Sequence, residues 1–579
     1  MAVALLSGVA LLAAFSIHLA KARIYQVDEY QNFYMAKVLA AGQSSELFTS
    51  SALFLLGPLS WISQMDLRAT EMLLLARLLF LGVFWLNLIL LAKILAGRVC
   101  STRGIIALAA AVSLAPLWDY GFEIRHDNLV LTGVLVIWWA VRTRPMGLGS
   151  YAVAGAVTVA LLFTAVKTVV YALPLSLALL LFPPSAFLQP RWQLALAWLA
   201  GAVAATAVIR VAYGAGDAWD NYLYVFRRVT QYSTDTQGAA ASGGSNRFWP
   251  WSTLGRLLVQ SPLLLALTLA ACFAILCDVV RRGKSALTWH GYLPEVLLCL
   301  GAFAALFVNP TPFPYNLLHL VPYALILSFR YGETLWELLR ERASIRPLAT
   351  TLLVFVHGIP FFLATKRHLE WPNARQNLLM QLAEDVTDPA KDLVYDGIGM
   401  VATRRTIHYQ WYLHSLNIRK VVTVPGRRVR EMLAARPAAV FIPSYRTTWL
   451  PEEDHEFIRQ RYVPVADDFW VLGCVLPAGG GEFEIFHPGR YQVVRLRPPP
   501  STNYLQSTDG SLPIEESSSI NGNMDGVEIS RAPVELSLGM HRLQTPADWN
   551  PAVIWVGPRL EKVPRPGPGN HRSLFWNWY

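Results

Sequence analysis

The sequence predicts a polytopic α-helical membrane protein with about eleven spans and, at its C-terminal end, an extracytoplasmic region of α/β and β-sandwich type. Three observations predict this fold class. The 579 residues are 54% hydrophobic and 15% charged, with a mean hydropathy of +0.36, which is more apolar than a soluble domain of this size. Apolar stretches near the length that crosses a bilayer recur up to residue 365. After residue 366, short alternating elements replace them.

The apolar stretches define the membrane part of the chain. Residues 1–22 could be a signal peptide, but SIHLAKARIYQ contains no small-x-small cleavage site, so an uncleaved first span is favoured. The predicted spans are residues 3–22, 70–92, 104–120, 128–141, 151–166, 168–183, 192–211, 260–280, 291–308, 316–330 and 347–365.

Basic residues set the predicted orientation. The even-numbered spans are followed by Lys and Arg, for example Arg98 and Arg103 after the second span and Arg281 and Arg282 after the eighth. The positive-inside rule places these loops in the cytoplasm, so the odd-numbered exits and everything after residue 366 face outward. Topology therefore explains the formal charge of +10, and we expect no nucleic-acid partner. The five cysteines define no disulfide framework, because all but Cys474 lie in or beside apolar runs.

Three domains are predicted. Residues 1–365 form the transmembrane domain, and residues 366–480 form an α/β domain, because helical NARQNLLMQLAEDV and RRVREMLAAR alternate with strand-like DLVYDG and AAVFIPSY. Residues 481–579 form a β-sandwich-like domain, because runs such as EFEIFHPGRYQVV and AVIWVGPRL are short, alternating and broken by Gly and Pro.

An acid pair, Asp28 and Glu29, follows the first span in RIYQVDEYQN. A carboxylate beside a low-dielectric boundary loses hydration and is usually kept with a partner or a task, although an ordinary solvated loop acid is the alternative. The following EYQNFYMAKVLAAG is predicted to be an amphipathic helix that lies along the membrane interface.

Further ionisable and aromatic residues are predicted on the same outward side. Lys167 interrupts a continuous apolar run, where an ammonium needs an anion or a water-filled cleft unless it snorkels to the surface. For the other positions there are alternatives: the charged residues of FEIRHDN could cap a helix, His319 could be a structural histidine, and Arg227 and Arg228 could be solvated loop residues. The set is Glu123, Arg125, His126 and Asp127 at the third exit; Lys167 in the turn between the fifth and sixth spans; Arg227 and Arg228 in the long outer loop; and Tyr315, Asn316 and His319 at the mouth of a late span.

Outward-facing carboxylates beside outward-facing cations suit a reaction with two electrostatic demands. A base takes a proton from an incoming hydroxyl, and positive charge stabilises a departing phosphate. A polyprenyl-phosphate sugar meets both demands, since its phosphate is the leaving group and its tail partitions into lipid. The rival hypotheses are a transporter or flippase for lipid-linked saccharides and a non-catalytic glycan-binding membrane protein. Against transport, the charges cluster at one face instead of following a path through the midplane.

With these features, residues 1–365 resemble the integral-membrane GT-C glycosyltransferases, in particular the group that contains protein O-mannosyltransferases and aminoarabinose transferases. The residues that carry the resemblance are VDEY with Asp28 and Glu29, FEIRHDN, TAVKTVVYALP with Lys167, and PYNLLHLVPYAL with His319. The resemblance implies a GT-C-like fold and an inverting transfer from a polyprenyl-phosphate sugar to a glycan, lipid or protein acceptor. It further implies Asp28 as general base, Glu29 as its support, Lys167 at the donor phosphate and His319 in the donor pocket.

Cofactors and location follow from the same reading. Two carboxylates bind Mg²⁺ or Mn²⁺ only with help from further oxygens, so we expect no obligatory metal and keep a divalent cation as an option. The expected location is a bacterial inner or plasma membrane, in contact with membrane lipid and with the C-terminal region outside the cytoplasm. The tail stretch VYDGIGMVATRRTIHYQWYL is the predicted acceptor surface. Tail aromatics such as Trp449 and Trp470 either stack on sugars or pack the tail's own cores.

Overall fold

The computed structural model shows a mostly helical membrane part followed by a C-terminal region of strands and short helices. It describes residues 2–42, 52–143, 147–165, 168–181, 189–212, 220, 223, 249–283, 293–308, 314–340, 351, 354–407, 413, 425–496, 522–567, 569 and 574–575. Within these ranges the helices of the membrane part are α1 (Ala2–Ala22), α2 (Val27–Ala40), α3 (Gly57–Ser63), α4 (Ala69–Ala96), α5 (Thr102–Val112), α6 (Ala115–Tyr120), α7 (His126–Thr143), α8 (Leu148–Thr164), α9 (Val169–Leu181), α10 (Arg191–Ala212), α11 (Trp249–Gln260), α12 (Pro262–Arg282), α13 (Leu293–Val308), α14 (Leu317–Arg340) and α15 (Ile359–Arg367).

Several of these helices are apolar enough for a bilayer. Among the described residues, α1, α4, α10 and α12 are long and apolar enough to cross a membrane, and α5, α8, α9 and most of α13 are apolar but shorter. The predicted membrane protein with a mostly helical membrane part is therefore confirmed, while the total of about eleven spans stays a prediction.

Local chemistry explains where helices begin and how closely they pack. Proline occupies the first turn of α3, α6, α12 and α15, where its missing N–H costs no hydrogen bond. Gly155 of α8 and Gly201 of α10 let these two helices touch, since a Cβ at either position would overlap a backbone carbonyl of the other helix.

The helix that begins with the acid pair, α2, is more deeply buried than an amphipathic surface helix would be. Almost the whole of α2 is buried, including the polar side chains Gln31 and Asn32, and Tyr30 and Phe33 belong to one hydrophobic core with the C-terminal strands. The predicted helix is present, but its polar side is buried together with its apolar side, because the C-terminal region covers the helix. Its place relative to the membrane stays a prediction.

The C-terminal region is built on two sheets. Its helices are α16 (Ala374–Val386), α17 (Val429–Ala435) and α18 (Glu452–Arg461), and its strands are β1 (Val394–Tyr395), β2 (Val440–Phe441), β3 (Tyr462–Ala466), β4 (Phe469–Val475), β5 (Gly480–Ile485), β6 (Gly489–Leu496), β7 (Asn523–Met524), β8 (Val527–Glu528), β9 (Val534–Leu536), β10 (Gly539–Gln544) and β11 (Asn550–Trp555).

Strand pairing joins the two ends of the C-terminal region. One sheet has the order β1-β2-β4-β11-β6-β9 with β3 also on β4, and the other has the order β5-β10-β7-β8. Strands β1 and β2 are parallel, and the other pairs are antiparallel. The predicted C-terminal sheet region is confirmed. Because β4 pairs with β11, strands from both sides of the predicted boundary at residue 480 share one sheet.

Candidate active site

The two carboxylates of the acid pair, in the first turn of α2, have different environments. Glu29 is fully buried, and its Oε1 and Oε2 accept hydrogen bonds from Nε and Nη2 of Arg77 at 2.8 and 2.6 Å. The backbone N–H groups of Gln26 and Ile124 donate to it at 2.8 and 3.4 Å. The Asp28 side chain, in contrast, is 38% exposed. Asp28 is therefore the member of the pair that a substrate can reach.

Arg125 connects Asp28 to the start of α7. Its Nη1 donates to Oδ2 of Asp28, and its Nε donates to Oδ2 of the buried Asp127 at 3.2 Å. The guanidinium carbon lies 4.0 Å from the ring centroid of Tyr315, and Nε2 of His319 lies 3.3 Å from Oδ1 of Asp127. The structure thus brings these five predicted residues, from three distant stretches of the chain, into one contact network.

Glu123 forms a separate buried ion pair. Its Oε1 lies 2.8 Å from Nη2 of Arg23, and neither side chain is exposed. Arg23 also donates through Nη1 to the backbone carbonyls of Trp118 and Asp119 at 2.9 and 3.0 Å. Burial raises the pKa of Glu123, and the charge of Arg23 opposes that rise. This pair ties the end of α1 to the turn between α6 and α7.

The remaining predicted residues have varied positions. His126 lies with its Nε2 3.8 Å from Oδ2 of Asp127, and Asn316 is buried beside Tyr315 at the start of α14. Tyr171 stacks on His319 with ring centroids 4.4 Å apart. The predicted residues Lys167, Arg227 and Arg228 lie outside the described residues.

A second polar cluster, which the sequence analysis did not select, surrounds the buried Asp119 of α6. Oδ1 lies 3.0 Å from Nε2 of His368, and Oδ2 accepts from Nε2 of Gln260 at 2.9 Å. Nε of Arg256 and Nη2 of Arg367 approach Oδ2 at 3.9 and 4.0 Å, and their side chains are 16% and 36% exposed. The Asp119 cluster therefore brings two partly exposed arginines to one buried carboxylate.

The Asp119 cluster adjoins the Asp28 network. Nη1 of Arg256 lies 3.3 Å from the hydroxyl of Tyr120, and the rings of Tyr120 and Tyr315 meet edge-on with centroids 6.4 Å apart. Tyr315 in turn lies under Arg125. Two tyrosine rings therefore separate the partly exposed carboxylate of Asp28 from the Asp119 cluster.

One sequence signal could have found part of this machinery. Arg77 in MLLLARLLFLG and Asp119 in SLAPLWDYG are charged residues inside apolar runs, where an ionised group is kept only with a partner. Their partners carry no such local signal, because Arg256 and His368 stand in ordinary polar surroundings of the sequence.

The chain was compared with known proteins. It matches no family model, and no curated protein matches it. Three solved structures of Archaeoglobus fulgidus proteins are similar to it. The oligosaccharyltransferase tethered with an acceptor peptide has a TM-score of 0.48 at 11% identity, over 91% of this chain and 76% of that one. The oligosaccharyltransferase AglB in complex with an inhibitory peptide and a dolichol-phosphate has a TM-score of 0.46 at 10% identity, over 91% of this chain and 76% of that one. The oligosaccharyltransferase complex with Zn and sulfate has a TM-score of 0.43 at 9% identity, over 95% of this chain and 98% of that one.

The similar structures are oligosaccharyltransferases. The predicted resemblance of the chain to glycosyltransferases of the GT-C fold stays a prediction at this level of similarity. With TM-scores below 0.5 at 9–11% identity, this likeness adds nothing about substrate or mechanism.

Proposed function

We propose that the chain is a membrane glycosyltransferase that moves a hexose or pentose from a polyprenyl-phosphate donor to a hydroxyl group of a glycan, lipid or protein. Transfer is a single inverting displacement on the extracytoplasmic face. Asp28 is the general base that takes the proton of the acceptor hydroxyl, while cationic side chains stabilise the phosphate that leaves.

The exposure of Asp28 is the observation that supports this proposal most strongly. Four carboxylates lie around the first turn of α2, and three of them, Glu29, Glu123 and Asp127, are fully buried in ion pairs. Asp28 is 38% exposed and is bound on one side by Arg125. A general base has to come within hydrogen-bond reach of the proton that it removes. Of these four groups, Asp28 alone is accessible enough for that role.

The arginines of the Asp119 cluster supply positive charge for the leaving phosphate in this proposal. Arg256 and Arg367 are partly exposed and both approach the buried carboxylate of Asp119, so two guanidinium groups lie together at this site. Arg125 adds positive charge to the site indirectly, because its guanidinium already pairs with the carboxylates of Asp28 and Asp127. A guanidinium offers a planar fork of donors that matches phosphate oxygens. Further proposed phosphate contacts, outside the described residues, are Lys167, Arg227 and Arg228.

The donor and acceptor pocket is proposed to lie beside Asp28, next to the two tyrosine rings that separate Asp28 from the Asp119 cluster. The side chains assigned to it are Glu123, His126, Asp127, Tyr315, Asn316 and His319. Glu29 supports Asp28 by fixing the turn of α2 on which both stand. We place this pocket and the C-terminal region on the extracytoplasmic side of a bacterial inner or plasma membrane, because the basic loops of the sequence lie at the opposite ends of the predicted spans.

The acid pair does not fit a divalent cation in the observed arrangement. Both oxygens of Glu29 accept hydrogen bonds from Arg77, whereas Mg²⁺ or Mn²⁺ requires several oxygen ligands. In the part of the chain that the structure describes, no group of three or more His, Cys, Asp or Glu side chains is placed to hold a metal. We propose a reaction without an obligatory metal, in which arginine charge stabilises the leaving phosphate.

The substitution Asp28→Asn tests the proposed function. Purified protein in detergent is given undecaprenyl-phosphate mannose, glucose or arabinose, each radiolabelled in the sugar, together with glycans and glycolipids extracted from cells that lack the protein. We expect Asp28→Asn to lower transfer by about 10²- to 10⁴-fold, because an amide cannot accept the proton. Binding of undecaprenyl phosphate, the lipid phosphate that these donors release, should remain as in the wild type when it is measured by thermal shift.

Asp385→Asn is the matched control, since this acid is 44% exposed and pairs with Arg68 away from the site. Its transfer rate should equal that of the wild type. Full transfer by Asp28→Asn would contradict the proposal and favour a transporter or a glycan-binding protein.

A further inference from the structure

Residues 23–26, the link between α1 and α2, are bound by Arg77 of α4. Nη1 of Arg77 donates to the carbonyl of Arg23 at 2.5 Å, and Nη2 donates to the carbonyl of Ile24 at 2.7 Å. The guanidinium carbon lies 4.0 Å from the ring centroid of Tyr25. The same guanidinium binds Glu29, so one buried side chain fixes both the link and the first turn of α2.

The C-terminal region binds the same link through side-chain and backbone groups. Oε1 of Gln376 accepts from the N–H of Tyr25 at 2.7 Å, and its Nε2 donates to the carbonyl of Tyr25 at 3.0 Å. The N–H of Ile24 donates to the carbonyl of Trp371 at 2.9 Å. Both backbone groups of Ile24 and of Tyr25 therefore have partners that come from α4 or from the C-terminal region. Neither residue is part of a helix or strand that would fix its backbone.

We infer that Gln376 of α16 is a positioning residue for Asp28, and that the C-terminal region thereby completes the catalytic site instead of only adding a surface for the acceptor. Asp28 is three residues beyond Tyr25, and the N-cap of α2 is Gln26, so the backbone that Gln376 binds sets where the first turn begins. Gln376 is itself 1% exposed, and its side-chain hydrogen bonds go to the backbone of Tyr25 and to the carbonyl of Leu574.

The physical reason is that a general base works only over a short range. Loss of the two hydrogen bonds to Tyr25 would allow the link to shift, and a shift of about 1 Å at a reacting group costs up to about 10²-fold in rate. Donor binding should not change, because Gln376 binds Tyr25 and not Arg23. Arg23, the residue of the link that donates to the carbonyls of Trp118 and Asp119, keeps its own ion pair with Glu123, and the arginines of the Asp119 cluster stand on α11 and α15. This inference rests on the proposed role of Asp28 as general base.

The experiment compares kcat and KM for Gln376→Leu and Gln376→Asn in the full-length protein, with the radiolabelled undecaprenyl-phosphate sugars as probe. Leucine removes the amide at similar size, and asparagine keeps the amide but shortens its reach by one methylene. We expect kcat to fall about 10- to 100-fold in Gln376→Leu and by less in Gln376→Asn, with KM for the donor unchanged. Because Gln376→Asn retains the polar group, it keeps the test valid if the leucine variant does not fold.

Asp385→Asn is the control on the same helix, because its carboxylate contacts Arg68 of the neighbouring loop and not residues 23–26. Wild-type kcat in both Gln376 variants, or an equal fall in Asp385→Asn, would overturn the inference. Transfer by Asp28→Asn would instead overturn the proposed function. An inactive Asp28→Asn together with fully active Gln376 variants would remove this inference alone.

Discussion

The buried pair Arg77–Glu29 should be strongly coupled energetically. Both side chains are 0% exposed, and two hydrogen bonds of 2.8 and 2.6 Å join them. Arg77→Met leaves a carboxylate in the interior with only the backbone N–H groups of Gln26 and Ile124. Breaking a buried pair by removing one partner costs about 3–5 kcal/mol, and the carbonyls of residues 23 and 24 lose their donor as well.

A double-mutant cycle measures this coupling. Arg77→Met and Glu29→Gln each leave one buried charge without its partner, whereas the double variant contains neither charge. We therefore expect the double variant to lose less stability than the sum of the two single variants, with a coupling of about 2–3 kcal/mol.

The assay is unfolding in one fixed detergent, followed by the fluorescence of the 20 tryptophans. Unfolding of a protein of this size is commonly irreversible, so rates of unfolding at several temperatures replace an equilibrium midpoint. Single variants whose effects add to within about 0.5 kcal/mol would refute the reasoning, since additivity is the signature of independent sites.

Three other perturbations test the fold and the site. Gly399→Ala should destabilise the protein by about 1–3 kcal/mol more than Gly426→Ala. Both glycines have positive φ (78° and 75°), but of the two only Gly399 would bring a new Cβ within 2.8 Å of a side chain of α2. Rates of thermal inactivation give the comparison, and equal effects of the two substitutions would exclude the clash. Burial and two neighbouring arginines lower the pKa of Lys37 to about 8, below its unfolded value, so the folded state prefers the neutral amine. Stability should therefore be lost as pH falls from about 10 through about 8, by about 2–3 kcal/mol relative to Lys37→Met, and parallel pH profiles of wild type and variant would contradict this. Arg256→Gln and Arg367→Gln should each weaken the binding of undecaprenyl phosphate by about tenfold, as expected for one charge-assisted hydrogen bond of about 1.5 kcal/mol. Unchanged binding in both variants would remove these arginines from the phosphate site.

Local patterns in the sequence predicted part of the architecture. Hydropathy over about 20 residues predicts α1, α4, α10 and α12, because a bilayer span needs a continuous apolar surface that is visible in any window of that length. The alternating segments after residue 366 predict α16, α17 and the sheet region, because the spacing of apolar residues is also visible within a short window. The carboxylate at residue 28 is also visible locally, since an acid beside an apolar run is costly to keep.

The environment of the site was decided by contacts between distant parts of the chain. Apart from the family resemblance, nothing in the local sequence distinguishes Asp28 from Glu29. The fold separates their environments, because Arg77, 48 residues away, binds the buried Glu29, whereas Asp28 is partly exposed. Gln376, 351 residues from Tyr25, binds the backbone of the link before α2, and the C-terminal strands share a hydrophobic core with that helix. Periodicity and hydropathy are properties of neighbouring residues, whereas the partner of a buried charge is fixed by how whole helices pack. The sequence alone therefore determined which groups need partners, and the tertiary structure determined which partners they have.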